Sequence, residues 1–167
     1  QIASQGGGIL STVHHTREAS PRLLRELATE RMWRFIDQGV TTLEVKSGYG
    51  LSMEAELKLL KVAKSLKPAR VISTFLGAHA KPPEFTQYQD YLDYLTLKVL
   101  PEVAKSKLAR RVDIFIEEAY FSVVGGRAFL QKAKALGFDV VIHAEQMSRS
   151  GASRLAIALN AKSARSE

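Results

Sequence analysis

The 167-residue chain has no cysteine. Disulfide frameworks and thiolate metal sites are therefore excluded. Long apolar runs are also missing: none approaches the roughly 18–20 residues of a membrane-spanning helix. Histidine is scarce, with four copies, and no HxH, HExxH or GxSxG pattern occurs. The triplet Gly6-Gly7-Gly8 could offer backbone N–H groups to an anion, but it lacks the Lys-Ser/Thr ending of a phosphate-binding loop. There is no internal repeat and no low-complexity linker, so residues 1–167 read as one domain. The opening stretch QIASQGGGIL has neither the basic flank nor the apolar core of a signal peptide, and a cytoplasmic location is expected.

What the chain does have is the balance of a globular protein, 46% hydrophobic and 25% charged. Its formal net charge is +7. The cations recur at short spacings, as in Arg22, Arg25, Arg31 and Arg34, or Lys58, Lys61 and Lys64. Steps of three residues align side chains along a helix, so these groups read as solvated outer faces. No zinc finger, RNA-recognition signature or aromatic-rich basic stripe is present, and neither nucleic acid nor membrane is expected as a partner.

Four short apolar, β-branched runs recur: TTLEV (41–45), RVISTFLG (70–77), RVDIFIE (111–117) and DVVIHA (139–144). Near-continuous apolar runs suit parallel strands covered on both faces. Helical patterns lie around them. Residues 21–38 follow a Ser20-Pro21 cap, and 52–66 begin at Ser52 with Glu54 and Glu56 early, where acids favour the helix dipole. Residues 84–104 form a Tyr- and Leu-rich pattern that Pro101 should end or bend. Residues 127–136 stop at Gly137, and 150–160 read as a last helix. Strands alternating with helices imply βαβ units and a parallel sheet. Either an open doubly wound sheet or part of a (β/α) barrel satisfies that order.

In both architectures chemistry collects at the carboxyl ends of the strands. Those ends here read EVKSGYG, LGAHAKPPE, IEEAYFS and, after the last run, His143, Glu145 and Gln146. A shared polar cleft is the expectation. His143 suits a metal ligand or proton carrier, and equally a core histidine bonded to backbone; His79 poses the same choice. Tyr49, between two glycines, is either presented to a ligand or part of a plain turn. The pair Glu117-Glu118 could supply a base, but such pairs are usually solvated or matched with Lys or Arg. His14-His15 are adjacent, point apart on any regular element, and make a poor metal pair.

The segments GGGILSTVHHTREAS (6–20), GVTTLEVKSGYGL (39–51), TFLGAHAKPPE (74–84) and HAEQMSRSGASRLA (143–156) together resemble the imidazolonepropionases of the amidohydrolase superfamily. The resemblance runs in order through almost the whole chain. It implies an α/β fold of parallel (β/α) units, part of a (β/α)₈ TIM-type barrel of a metal-dependent hydrolase. It implies hydrolytic opening of 4-imidazolone-5-propanoate to N-formimino-L-glutamate in histidine degradation, with one zinc or iron ion. On that reading His143 is a metal ligand, Tyr49 and His79 contact the substrate, and Gln146 contacts it and helps orient the attacking water. Arg17 falls within a matching motif without an assigned contact. The family's metal-binding His-x-His lies upstream of the glycine-rich segment and a further Asp ligand lies beyond residue 167. Where the family reads Ser-Ala-Asp-His-Leu-Glu, this chain has Arg165 and Ser166 in the Asp and His places. The implied picture is the middle of an enzyme, roughly barrel strands two to five with a stub of six, inactive alone and forming a homo-oligomer. A non-catalytic binding or assembly module, or an amidohydrolase acting on another cyclic amide, are the alternatives.

Overall fold

A computed structural model describes residues 9–165. Five parallel strands form a single sheet: β1 (Thr42–Lys46), β2 (Arg70–Ala78), β3 (Arg111–Ile116), β4 (Asp139–Ala144) and β5 (Ser163–Arg165). They lie side by side in chain order, without reversal. A doubly wound sheet must switch direction of strand order, so the doubly wound alternative falls and a curled half-barrel remains. The glycine triplet and Ser166 lie outside the described residues.

The helices are α1 (Ile9–Glu18), α2 (Pro21–Ile36), α3 (Met53–Ser65), α4 (Tyr88–Tyr94), α5 (Leu100–Ser106), α6 (Val123–Ala135) and α7 (Ala152–Ala158). Serine hydroxyls start three of them: Ser20, Ser52 and Ser122 accept from the N–H groups of Leu23, Ala55 and Gly125 at 3.2, 3.3 and 3.1 Å. The expected helix 127–136 thus begins four residues earlier, because Gly125 and Gly126 lie inside it. A Cβ on Gly126 would meet Ile116 Cδ1 at 2.6 Å, so these glycines let the helix approach the sheet. The expected helix 84–104 is instead α4, a π-helical turn at Leu95–Val99, and α5. Pro101 neither ends nor breaks it. The widened turn, in which Leu100 N–H reaches Leu95 C=O, absorbs the register change around a residue with no N–H to give.

Strand alternation divides the sheet into two faces. Val112, Ile114, Ile116, Val140, Ile142 and Ala144 join Phe129, Leu130 and Leu155 of the helices in the apolar core. The alternate residues of β1, β3 and β4, namely Glu44, Lys46, Arg111, Asp113, Phe115 and His143, belong to the opposite, concave face. Tyr91 of α4 is fully buried and donates its hydroxyl to Gly77 C=O at 3.0 Å, tying that helix to the end of β2. The cations of α2 do lie on an exposed face, where Arg22–Glu26 and Arg34–Glu30 pair across one turn. Lys58 departs from that expectation. Its ammonium donates to the C=O groups of Thr16, Arg17 and Ala19 at 3.0, 2.8 and 2.9 Å, closing the C-terminal end of α1.

Candidate functional site at the carboxyl ends of the strands

Two layers of charge cross the concave face. In the first, Glu44 of β1 accepts from Thr74 Oγ1 at 2.6 Å, lies 3.5 Å from Arg111 Nη1 and pairs with Arg165 of β5. Burial alone would raise the Glu44 carboxyl, but the hydrogen bonds from Thr74 and Arg165 and the charge of Lys46 hold it below the usual range. Arg165 is therefore built into the face as a cross-sheet ion partner.

The second layer lies closer to the strand ends. Lys46 Nζ, the last residue of β1, is 2.7 Å from Asp113 Oδ2 and 3.5 Å from His143 Nε2. The same Asp113 oxygen is 3.0 Å from His143 Nδ1. Asp113 is wholly buried and His143 nearly so. Burial pushes Asp113 up, yet His143 and Lys46 hold its carboxyl below the ordinary value. Sequence reasoning singled out His143 but passed over Lys46 and Asp113. The available signal was an acid inside the apolar run RVDIFIE, on the strand face that register also gives to Phe115 and its partner His143.

Beyond Lys46 the chain enters Ser47–Leu51, the SGYGL loop. Glu56, fully buried in the first turns of α3, forms its hub. Oε1 accepts from Gly50 N–H at 2.8 Å and Leu51 N–H at 2.9 Å, while Oε2 accepts from Gly48 N–H at 3.0 Å. Burial pushes the Glu56 carboxyl up against the pull of these bonds and of the Ser47 hydroxyl. The loop backbone demands glycine at two points. Gly48 has φ +103° and a Cβ there would lie 2.8 Å from Leu76 O; at Gly50 a Cβ would meet the Ala55 carbonyl carbon at 2.7 Å. Arg17 supports the same loop, donating from Nε to Gly50 C=O at 2.6 Å and pairing through Nη1 with Glu84 at 2.5 Å.

This loop carries Tyr49, whose half-exposed ring stands edge-on to His79, centroids 5.2 Å apart. His79 Nδ1 is 3.1 Å from Gly48 C=O. Burial lowers the imidazole's proton affinity, and the charges of His143 and Lys46 add to that. Tyr49, His79 and His143 thus stand at one end of the sheet. Gln146 is exposed on the loop after β4, next to Glu145, which adopts φ +57°. Glu117, expected to be solvated, is buried and fixes that loop, accepting from Met147 N–H at 2.9 Å and Ser148 Oγ at 2.6 Å. Burial would raise its carboxyl; the bonds from Ser148 and from the backbone of Met147 and Gln146 keep it below the ordinary range. His14 and His15 sit exposed on α1, away from this arrangement in role: His14 pairs with Glu18 at 3.4 Å.

The donor set does not by itself fit a metal ion. Among the described residues no group of three or more His, Asp or Glu side chains is placed to hold one. The buried His143–Asp113 pair already faces an ammonium, that of Lys46.

No protein-family model matches the chain. It is 52% identical to an imidazolonepropionase of Bdellovibrio bacteriovorus over 163 residues, which is 98% of this chain and 38% of that protein. An imidazolonepropionase of Shewanella oneidensis is 48% identical over 167 residues, and one of Yersinia enterocolitica 46% identical over 168, each alignment covering 98% of this chain and 41% of the relative. The chain therefore spans about two-fifths of the length of the curated relatives it matches.

Proposed function

From homology to the imidazolonepropionases over 98% of the chain, we infer that these residues form the central part of a hydrolase that opens a cyclic amide-like ring, with 4-imidazolone-5-propanoate as substrate and N-formimino-L-glutamate as product. The observation that carries this reading is the convergence of Tyr49, His79 and the His143–Asp113–Lys46 cluster on one end of a parallel sheet, where (β/α)₈ barrel enzymes place their chemistry. Tyr49 and His79 would hold the ring: a phenol and a neutral imidazole, side by side, recognise polar ring atoms without adding charge. Gln146 would reach the substrate from the β4 loop and orient water. A zinc or iron ion would find a single ligand among the described residues, His143.

The test is a chimera in which this chain replaces the matching 163-residue segment of the Bdellovibrio relative. Retained consumption of 4-imidazolone-5-propanoate, lost in His143→Ala and weakened through KM in Tyr49→Phe, is the expected result. A folded chimera without turnover defeats the reading. The 167-residue chain on its own, supplied with excess zinc or iron, is expected to hold little metal and to show no turnover, because one ligand cannot supply the multidentate geometry of a catalytic site. A non-catalytic assembly role draws support from the ammonium lodged against His143; a folded, metal-free and inactive chimera would favour it.

A further inference from the structure

We propose that Glu56 is a positioning residue that acts through Gly48 to fix the tautomer of His79, leaving Nε2 as a hydrogen-bond acceptor. The chain of contacts is short. The peptide before Gly48 is anchored, because the Gly48 N–H donates to the Glu56 carboxylate at 3.0 Å. Its C=O then faces His79 Nδ1 at 3.1 Å. A carbonyl can only accept, so Nδ1 carries the proton and, in the neutral ring, Nε2 keeps its lone pair. Gly50 and Leu51 donate to the same carboxylate, so the Gly48–Tyr49 peptide, whose C=O faces His79, lies between two anchored peptides and is restrained from turning over. The backbone at Gly48, with φ +103° and Leu76 O pressing where a Cβ would be, admits no other residue without strain.

A neutral imidazole with a free Nε2 lone pair takes an N–H or O–H donor and repels a carboxylate. This part rests on the proposed ring-opening function: His79 would read a ring N–H of the substrate, and the propanoate arm would bind elsewhere. The positioning role itself is measurable without substrate or metal, so its failure is distinct from failure of that function.

The experiment is long-range ¹H–¹⁵N correlation of the imidazole rings in the folded, ¹⁵N-labelled chain at neutral pH, with His79 identified by the signals missing in His79→Asn. A single Nδ1–H tautomer is expected. In Glu56→Gln the amide nitrogen replaces one acceptor, and His79 is expected to average between tautomers while the amide signals of β3 and β4 stay in place. An Nε2–H or averaged ring in the unsubstituted chain overturns the proposal, as does an unchanged tautomer in Glu56→Gln. Should that variant not fold, hydrogen exchange in the unsubstituted chain decides. Strong protection of the Gly48, Gly50 and Leu51 amides is expected, and rapid exchange at Gly48 overturns it.

Discussion

At the residue scale, the charges that matter are few and buried. Lys46→Met strands the fully buried Asp113 beside a lost cation 2.7 Å away. Loss of about 3–5 kcal/mol is expected in urea unfolding, and the double variant Lys46→Met with Asp113→Leu should recover a good part of it. Glu117→Gln removes an acceptor from the Met147 and Ser148 contacts. It should cost about 1–3 kcal/mol and speed exchange of the Met147 amide. These residues also show where the sequence was readable and where it was opaque. His143 was visible because an apolar run ended on it. Glu56 was not: an acid in the first turn of a helix has an ordinary explanation in the helix dipole, and nothing local says that its side chain folds back into the preceding loop. Asp113 and Lys46 gain meaning only through each other, 67 positions apart.

At the scale of elements, the alternation of strands and helices and most of their limits could be read from periodicity and serine caps. The departures were at glycine and proline, residues whose local preference the tertiary structure overrode. Gly125 and Gly126 sit inside α6 because the helix lies close against β3, and Pro101 sits inside α5 because a π-helical turn precedes it. The third departure was α1, which follows a glycine triplet and whose last carbonyls are closed by Lys58 from α3. Gly50→Ala is the sharpest probe at this scale. Its new methyl would collide with the backbone of α3, at 2.7 Å from the Ala55 carbonyl carbon and 2.8 Å from Glu56 N. Backbone atoms cannot swing aside as side chains do. A loss of about 1–3 kcal/mol is expected from thermal unfolding, together with loss of the Tyr49–His79 ring contact in aromatic NMR signals.

For the molecule as a whole, acid should be the weak side. His79, Glu44 and Glu117 all have proton affinities below their ordinary values. Groups lowered in the folded state add stability above their unfolded pKa and lose it as pH falls through the folded one. The His79 contribution should start to fall below about pH 6.5, and those of Glu44 and Glu117 below about pH 4.5. Glu56, pushed up by burial, acts in the opposite sense and adds stability as pH falls. The comparison that isolates His79 is the urea midpoint of the unsubstituted chain against His79→Asn: the loss on acidification should be smaller in the variant, and an equal loss would contradict the assignment. A second whole-molecule expectation concerns exposed apolar surface. Leu23, Leu27 and Phe35 of α2 are each at least 40% exposed, and among the described residues β1 and β5 each pair on one side alone. Such edges and patches favour association. Light scattering is expected to find a homo-oligomer that binds little apolar dye; a monodisperse monomer with no dye binding would count against it.

The Glu44–Arg165 pair joins side chains 121 positions apart. Residues made earlier in synthesis must therefore wait for residues made much later. Until β5 emerges from the ribosome, Glu44 has Thr74, Arg111 and the nearby charge of Lys46 but not Arg165, and the concave face stays unfinished while the helices behind it can already pack. Ribosome-bound nascent chains of increasing length should accordingly resist protease late, in one step, once the segment through Arg165 has cleared the exit tunnel.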